Sequence, residues 1–319
     1  MLSAGEAEDR VSLKLQRDPG VSDLIDPAGE QFLSLCDALI AATKVERDGD
    51  RMRLAMILCL SYHLRKIQRV TRAALTLILN GQSAEAMSLV RPQNDFVIAF
   101  NYYVKHPDQG QIFMVSQVLL KRNFAKEIMS FDDAIARDPQ RLAQLAEIER
   151  DVQIAYREFP GLRRPKGKSA KSSSPVLIDW SELSAYDMFS DVMEGLLREH
   201  YAKDGKTYSD DEFTKRHERA VKRSYFYRNT FIGQSMHGTA FDVGVVVDIE
   251  DDGSIAPAPN RALDSNRLAY HFIANAMPPM ANYRDYVFPG EFEAELSALS
   301  ETWHKLRKEC GITADVPEL

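Results

Sequence analysis

The sequence has few cysteines and no long apolar run. Its three cysteines, Cys36, Cys59 and Cys310, are far apart and form no CxxC pair. Isolated cysteines in apolar surroundings are typical of reduced, buried thiols rather than of a disulfide framework. No stretch approaches the ~18 uninterrupted apolar residues that a membrane span requires, and the N-terminal segment 1–23 contains no apolar signal. We therefore expect a cytoplasmic protein that has no membrane partner.

Motifs that would bind a metal or a nucleotide are also missing. The sequence contains no HExxH, no paired CxxC and no Gly-rich phosphate loop. Glu301 and His304 have the spacing of a helical di-iron ligand pair, but such a site needs a second copy of the motif and further carboxylates. We expect neither a metal nor a cofactor.

The composition is that of an ordinary globular chain with a moderate negative charge. The 319 residues carry a formal net charge of −7, so that any contact with nucleic acid has to be local rather than spread over the whole surface. With hydrophobic residues at 45%, the chain is long enough to bury a sizeable core without disulfides.

Apolar residues recur at three- and four-residue steps through most of the chain, which predicts helices. Two of these helices open with an acid followed by proline, at Asp26-Pro27 and Asp138-Pro139. Pro92 predicts a kink or a restart within one of them. In the first half, the predicted helices span 26 onwards, 49–80 with Asn80-Gly81 as the C-cap, 83–105, 110–129 and 138–159.

The second half continues with helices and contains the only strand signal. Ser209 is expected to cap a helix over 208–236, after an earlier helix that begins near Asp179. Segment 243–258 predicts a small hairpin around the turn Asp251-Asp252-Gly253. Two last helices, 262–276 and 290–310, are expected to be separated by a break at Met277-Pro278-Pro279-Met280.

We therefore predict an all-α fold, an irregular multi-helix bundle with a small appended β-hairpin. Residues 1–25 are expected to form a flexible tail, and 161–175 a basic flexible linker that carries five cations and no acid. The linker separates a helical first half, 26–160, from a helical second half, 176–319.

A stripe of arginines follows the long helix predicted over 49–80. Arg65, Arg69 and Arg72 are spaced so that they share one helix face. We interpret this stripe as a solvated face, or as partners for acids on a neighbouring helix, in preference to a phosphate-binding surface.

His237 and Arg228 are the residues that most suggest chemistry. Imidazole can act as a general acid or base while guanidinium stabilises the charge that develops on phosphate, which together suit metal-independent phosphodiester cleavage. The alternative is that His237, directly before Gly238, caps the end of a helix. Nine residues separate His237 from Arg228, so within one straight helix the two point to opposite sides.

Several of these features resemble the helical proteins of the family called domain of unknown function 5677. In the first half, the resemblance rests on Asn80-Gly81 followed by a helix with Arg91 and Asp95. In the second half, it rests on Trp180, the cluster Tyr225-Phe226-Tyr227, Ser235, and His237-Gly238-Thr239. The similarity covers roughly residues 50–245.

That family is grouped by analogy with HEPN-type helical domains, some of which are dimeric ribonucleases in toxin–antitoxin and phage-defence systems. Their signature is an arginine, a polar residue and, a few residues later, a histidine, and Arg228-Asn229 begins in that way. The resemblance implies an HEPN-like RNA-processing or defence protein with RNA and a second copy of the chain as partners. The second hypothesis is a non-catalytic helical module that binds a protein or a small ligand.

The site residues follow from these two hypotheses. The catalytic candidates are His237, Arg228 and Arg91, and the ligand-binding candidates are Tyr225, Tyr227, Asn229, Ser235 and Asp95.

Overall fold

The computed structural model describes residues 21–44, 50–131, 135, 137–158, 185–203, 205, 207–225, 247–249, 255–257 and 265–311. The predicted linker at 161–175 and most of the predicted tail at 1–25 lie outside these ranges.

Helices dominate the described residues, so the prediction of an all-α multi-helix fold is confirmed. In chain order, the helices are α1 (Ile25–Ala42), α2 (Arg51–Leu79), α3 (Ser83–Met87), α4 (Val90–Lys105), α5 (Gln109–Ser130), α6 (Pro139–Glu158), α7 (Ala185–Lys203), α8 (Asp210–Tyr225), α9 (Ser265–Val287) and α10 (Glu293–Glu309).

Local capping explains where several of these helices begin and end. The Asp50 side chain accepts a hydrogen bond from the Met52 backbone N–H at 2.9 Å, and Asp138 does the same for Gln140 at 2.9 Å. At its other end, α2 terminates at Asn80 and then Gly81, whose φ of 74° suits glycine. The boundaries predicted from Asp138-Pro139 and Asn80-Gly81 are confirmed, whereas the Asp50 cap was not predicted.

Pro92 marks a restart, one of the two outcomes expected for it. Helix α3 ends at Met87 and α4 begins at Val90, which places Pro92 in the first turn of α4. The missing proline N–H costs nothing there, because the first N–H groups of a helix have no partner within the helix.

The expected break at Met277–Met280 is wrong. Helix α9 runs from Ser265 to Val287 with Pro278 and Pro279 inside it. Its buried face continues across the prolines, since Ala276, Met280 and Tyr283 are fully buried. Packing on both sides of the prolines therefore outweighs the backbone hydrogen bonds that they remove.

Helix α2 lies at the centre of the bundle and packs against α1, α3, α4, α5 and α9. Its first two thirds contribute Met56, Leu60, Leu64 and Ile67 to one core, which α1, α4, α7 and α9 complete. The last third contributes Ala74, Leu75 and Ile78 to a second core, which α1, α9 and α10 complete. The apolar stripe predicted for this helix is thus its packing face.

The start of the described chain is tied to its last two helices. The Ser22 backbone N–H donates to Asn266 Oδ1 at 2.7 Å, and the Ser22 hydroxyl donates to Glu309 Oε1 at 2.5 Å. Ile25 is fully buried beside them. Residues 21–25, at the end of the predicted tail, therefore pack into the bundle.

Helices α5 and α6 form a helical hairpin at the side of the bundle. The N-terminal end of α5 packs on α2, where Gly110 lies against Met56. Helix α6 packs on α5 around a small core of Val115, Leu119, Val152 and Ala155.

Two three-residue strands are also described. The strand β1 (Val247–Ile249) pairs antiparallel with β2 (Ile255–Pro257), with Asp248 opposite Ala256. The other residues of segment 243–258, over which the sequence predicts a hairpin, lie outside the described ranges.

The helices also bear on the arginine stripe of α2 and on the expected absence of a membrane span. Asp37 of α1 forms ion pairs with Arg65 and, at 3.3 Å, with Arg72, which confirms that the arginine stripe provides partners for an acid on a neighbouring helix. Among the described helices, none is long and apolar enough to cross a membrane.

Candidate functional site

Arg91 and Asp95 lie one turn apart on the outer face of α4. Their side chains are 44% and 42% exposed, and Arg91 Nε lies 4.0 Å from Asp95 Oδ2. That separation is an ion-pair distance and is too long for a hydrogen bond. The guanidinium is therefore held near the carboxylate while nearly half of it remains open to solvent.

A buried polar network fixes the same turn of α4 from its inner side. Gln93 Nε2 donates to Thr71 Oγ1 of α2 and to the Phe272 carbonyl of α9, both at 2.8 Å. Asn275 Nδ2 of α9 donates to Asn94 Oδ1 at 2.7 Å and to Gln93 Oε1 at 3.2 Å. Because every member has partners, the network locks α4 against α2 and α9. It thereby fixes the direction in which Arg91 and Asp95 point.

Sequence reasoning missed this network. Gln93 and Asn94 interrupt an otherwise apolar pattern and are fully buried or nearly so, at 0% and 2% exposure. Adjacent amides within an amphipathic helix are the signal that could have indicated a buried polar contact.

The electrostatics of Asp95 differ from those of an ordinary surface carboxylate. Burial raises the pKa of Asp95, while the nearby Arg91 guanidinium opposes this effect. A carboxyl group with a raised pKa beside an arginine can exchange a proton closer to neutral pH than a free aspartate does. Such a group is a candidate for acid–base work as well as for ligand binding.

Tyr225 occupies a packing position at the end of α8. Its ring lies edge-on to Tyr186 at 5.1 Å and tilted against Phe189 at 5.7 Å, both on α7. These contacts fix the ring where the described part of α8 ends, and with Tyr186 and Phe189 it forms an aromatic wall between α7 and α8.

The remaining predicted site residues, Tyr227, Arg228, Asn229, Ser235 and His237, lie outside the described residues. Of the predicted set, the structure therefore brings together Arg91 and Asp95 and places Tyr225 at the end of α8.

A second polar cluster, also missed from the sequence, lies at the other end of α4. His106 Nε2 and Lys105 Nζ approach Asp191 Oδ2 of α7 at 2.6 and 3.0 Å. Lys105 Nζ also donates to the Asp191 backbone carbonyl at 2.6 Å. Burial would raise the pKa of Asp191, but the hydrogen bonds from His106 and Lys105 outweigh it and lower that pKa. Both side chains thus contact one carboxylate, and the cluster connects α4 to α7.

The two clusters cannot form one active site. At about 1.5 Å per residue, Arg91 and His106 lie about 22 Å apart along α4. Direct contact with one reacting group requires distances of about 3 Å.

A third histidine is enclosed by aromatic rings. His63 of α2 is 3% exposed, and the rings of Tyr62, Tyr103 and Phe113 have centroids 5.0 to 5.3 Å from its own. His63 Nδ1 lies 2.8 Å from the Cys59 carbonyl. Burial lowers the pKa of His63 to about 4, although the hydrogen bond to Cys59 opposes the shift. The side chain is therefore a neutral part of the core.

Two further features of the described residues bear on where a ligand or a metal ion could bind. An open groove of about 330 Å³ lies between α1 and α2 and is lined by Asp26, Glu30, Arg72 and apolar side chains, but by none of the predicted site residues. Among the described residues, no group of three His, Cys, Asp or Glu side chains is arranged to hold a metal ion.

Comparison with known proteins gives one finding. A family model described as "Family of unknown function (DUF5677)" matches residues 58–237, which is more than half of the chain. The matched segment contains all of the predicted site residues, from Arg91 to His237. No curated protein matches the chain, and no solved structure does.

The family resemblance predicted from Asn80-Gly81, Arg91 and the 225–239 segment is confirmed by this match. The chain belongs to the family of unknown function DUF5677.

Proposed function

We propose that this protein is an HEPN-like, metal-independent RNA-processing protein with a role in phage defence or as a toxin. Its substrate site is centred on the outer face of α4. In this proposal, Arg91 and Arg228 bind phosphate and His237 is the general acid or base. Asp95, Tyr225, Tyr227, Asn229 and Ser235 contact the ligand.

The observation that carries the proposal is the exposure of the Arg91 side chain and its distance from Asp95. The side chain is 44% exposed and lies 4.0 Å from Asp95, so a phosphate oxygen can approach it without first breaking a tight hydrogen bond. The amide network beneath α4 supports this role, because a preorganised cation stabilises developing charge better than a mobile one. The raised pKa of Asp95 adds a carboxyl group suited to proton transfer.

The first test measures cleavage of total cellular RNA in EDTA, together with thermal unfolding, for wild type, Arg91→Ala and His237→Ala. We expect the wild type to cleave RNA. Each variant should lose activity by about 10²-fold or more, as is typical when a charge-stabilising or acid–base group is removed. For Arg91→Ala, the melting temperature should stay within about 2 °C of wild type, because this partly exposed side chain contributes little to stability.

Arg69→Ala is the matched control, because it removes an exposed cation of α2 that belongs to neither polar cluster. It should cleave RNA at the wild-type rate. Absence of cleavage by the wild type would refute the proposed activity. If Arg69→Ala loses as much cleavage activity as Arg91→Ala, the loss reflects the overall charge of the protein and not a site at Arg91.

The second candidate function is a non-catalytic module that binds a protein or a small ligand near Tyr225, Tyr227 and His237. The packing of Tyr225 on Tyr186 and Phe189 favours it, since a fixed aromatic wall is a common part of ligand pockets. A wild type that cleaves no RNA, with a destabilised His237→Ala variant, is the result expected from this alternative.

We also place the protein in the cytoplasm. Cys36, Cys59 and Cys310 are all buried and not joined by disulfides, as reducing conditions would leave them. The small hairpin predicted over 243–258 belongs to the same proposal, and it would follow His237 closely in the chain.

A further inference from the structure

The open groove between α1 and α2, called the α1–α2 groove below, lies beside the start of the described chain. Its apolar lining comes from Ile25, Gly29 and Leu33 of α1 and from Leu75 and Leu79 of α2. From Ile25 to Leu33, the groove follows α1 over a length of about 12 Å. None of the predicted site residues lines it, so the proposed ribonuclease activity leaves it without a role.

The two sides of the α1–α2 groove differ in charge. Asp26 and Glu30 lie one turn apart on α1, and both are exposed. Of the described residues that line the α2 side, Arg72 is the charged one, and its guanidinium is already paired with Asp37 at 3.3 Å. The groove therefore suits an occupant that combines apolar side chains with positive charge.

A segment that precedes α1 in the sequence has this chemistry. Residues 1–20 lie outside the described part of the structure and include the run VSLKLQR, called segment 11–17 below. Apolar and polar residues alternate along this run, as in an extended segment that buries one side. The run carries two cations, Lys14 and Arg17, and no acid. Its apolar side and its charge thus match the lining and the acidic rim of the groove.

The chain between segment 11–17 and α1 is suited to bring the segment to the groove. Val21 is buried in the bundle only four residues before Ile25, the first residue that lines the groove. Directly before Val21, Asp18-Pro19-Gly20 is a turn signal. A turn there reverses the chain and leads segment 11–17 back along α1, with Arg17 entering first.

Two leucines of the segment match two positions of the groove. Leu13 and Leu15 are about 6.6 Å apart in an extended chain, and Gly29 and Leu33 are about 6 Å apart along α1. With Arg17 at the Ile25 end, Leu15 lies level with Gly29 and Leu13 level with Leu33. Both leucines can therefore contact the apolar lining at the same time.

The charges fall into place in the same alignment. Lys14 lies between the two leucines and on the other side of the extended segment, which is at the level of the groove's rim. Glu30 lies on that rim, between Gly29 and Leu33 in the sequence of α1. The carboxylate of Glu30 is thus the nearest acid of the rim to the lysine.

We propose that segment 11–17 docks in the α1–α2 groove of its own chain, with Leu13 and Leu15 against the apolar lining and Lys14 beside Glu30. This arrangement differs from the flexible tail that the sequence predicts over residues 1–25. The inference does not depend on the proposed ribonuclease activity.

The first test is cleavage of the full chain by thermolysin, which cuts before apolar residues and so attacks the bonds before Val11, Leu13 and Leu15. Mass spectrometry of the products gives the rate at each bond. In wild type, these bonds should be cut at least about tenfold more slowly than in a synthetic peptide of residues 8–20, because a docked segment is cut only from its open fraction. Cleavage as fast as in the free peptide would overturn the proposal.

Charge exchange tests the contact between Lys14 and Glu30. Glu30→Lys should accelerate the cleavage several-fold, because it replaces an attraction by a repulsion. Gln31→Lys is the matched control, since it adds the same charge at an exposed position of α1 that does not line the groove, and it should keep the wild-type rate. The double variant Glu30→Lys/Lys14→Glu should return to within about twofold of wild type. Equal acceleration in Glu30→Lys and Gln31→Lys would refute the proposed contact.

Disulfide formation tests the position of the segment. Thr76 is exposed, lines the groove and follows Leu75, whose side chain contacts Gly29. In the full chain, Leu15→Cys/Thr76→Cys should form a disulfide within one molecule at least about tenfold faster than Leu15→Cys/Ala73→Cys, because docking raises the effective concentration of the two thiols. Ala73 is exposed on α2 but does not line the groove.

The native cysteines, Cys36, Cys59 and Cys310, are buried and should not compete for the introduced thiols. Equal rates in the two double-cysteine variants would overturn the proposal. A disulfide that joins two chains instead of two positions of one chain would also overturn it, because the groove would then hold the segment of a second copy.

Discussion

At the residue scale, His63 couples the stability of the bundle to pH. Its pKa in the folded chain is about 4, below the ordinary value of 6.5, because burial excludes water from the ring. Between these two values, the unfolded chain binds a proton that the folded chain does not. The contribution of His63 to stability is therefore complete above pH 6.5 and is lost progressively as the pH falls towards 4.

We expect the free energy of unfolding to decrease by an amount on the order of 3 kcal/mol from this residue alone as the pH is lowered through that window. Urea denaturation at a series of pH values should show a shallower pH dependence for His63→Gln than for wild type. His304→Gln, which changes an exposed histidine on α10, should keep the wild-type slope. Parallel slopes for wild type and His63→Gln would contradict this account.

Residue chemistry was only partly predictable from the sequence. Arg91 and Asp95 could be named because an Arg and an acid one helical turn apart share a face whatever the tertiary structure is. His106, Lys105 and Asp191 could not, because their contact joins positions 85 residues apart, and only packing of α4 against α7 creates it. His63 escaped notice for the same reason, since the rings that enclose it come from α4 and α5 as well as α2.

At the element scale, two helical glycines, Gly110 and Gly195, differ in the space that their neighbours leave for a side chain. A Cβ at Gly110 would lie 3.1 Å from Met56 Sδ and 3.2 Å from Met56 Cα, closer than ordinary contact. A Cβ at Gly195 would lie 3.6 Å from Lys105 Cε, at a normal contact distance. The first glycine permits the close approach of α5 to α2, whereas the second lies in the middle of α7 without a comparable restraint.

Gly110→Ala should destabilise the protein by about 1–3 kcal/mol, because α5 has to move away from α2. Gly195→Ala should stabilise it by about 0.5–1 kcal/mol, because alanine loses less conformational entropy in a helix. Chemical denaturation of both variants beside wild type measures the difference. If both variants change the free energy of unfolding by the same amount in the same direction, the contact with Met56 does not oppose a side chain at position 110.

The helices themselves were largely predictable, since their caps and apolar stripes are local signals. Asp138-Pro139 and Asn80-Gly81 marked ends that the structure confirms within one or two residues. The continuous helix through Pro278 and Pro279 was not predictable, because the stabilising contacts of α9 come from α1, α2, α4 and α10. Local rules correctly assign a cost to two prolines but contain no information about the packing that offsets it.

At the scale of the whole molecule, Tyr283 links three helices through one hydroxyl group. The ring is fully buried in α9, and its Oη lies 2.6 Å from Thr43 Oγ1 and 2.7 Å from Ser61 Oγ. Thr43 caps α1 and Ser61 belongs to α2, so this hydroxyl joins α1, α2 and α9.

Tyr283→Phe should lower the stability of the whole bundle by about 1–2 kcal/mol, because two half-buried hydroxyls, those of Thr43 and Ser61, lose a partner while the ring packing is unchanged. In differential scanning calorimetry, the unfolding transition should keep its shape, and its midpoint temperature should fall by a few degrees. Tyr62→Phe, at a ring that is 40% exposed, is the control and should shift little. A Tyr283→Phe variant as stable as wild type would show that the hydroxyl contacts contribute nothing.

The packing around α2 also has a consequence for synthesis on the ribosome. Helix α2 ends at Leu79, but α9, which covers its buried face, ends only at Val287. Helices α1, α4 and α5 cover part of α2 early, but at about 5–20 residues per second the surface that α9 covers waits roughly 10–40 s for that helix. During that interval, α2 is a natural binding segment for chaperones that recognise exposed apolar helices, and translation pauses before α9 would lengthen its exposure.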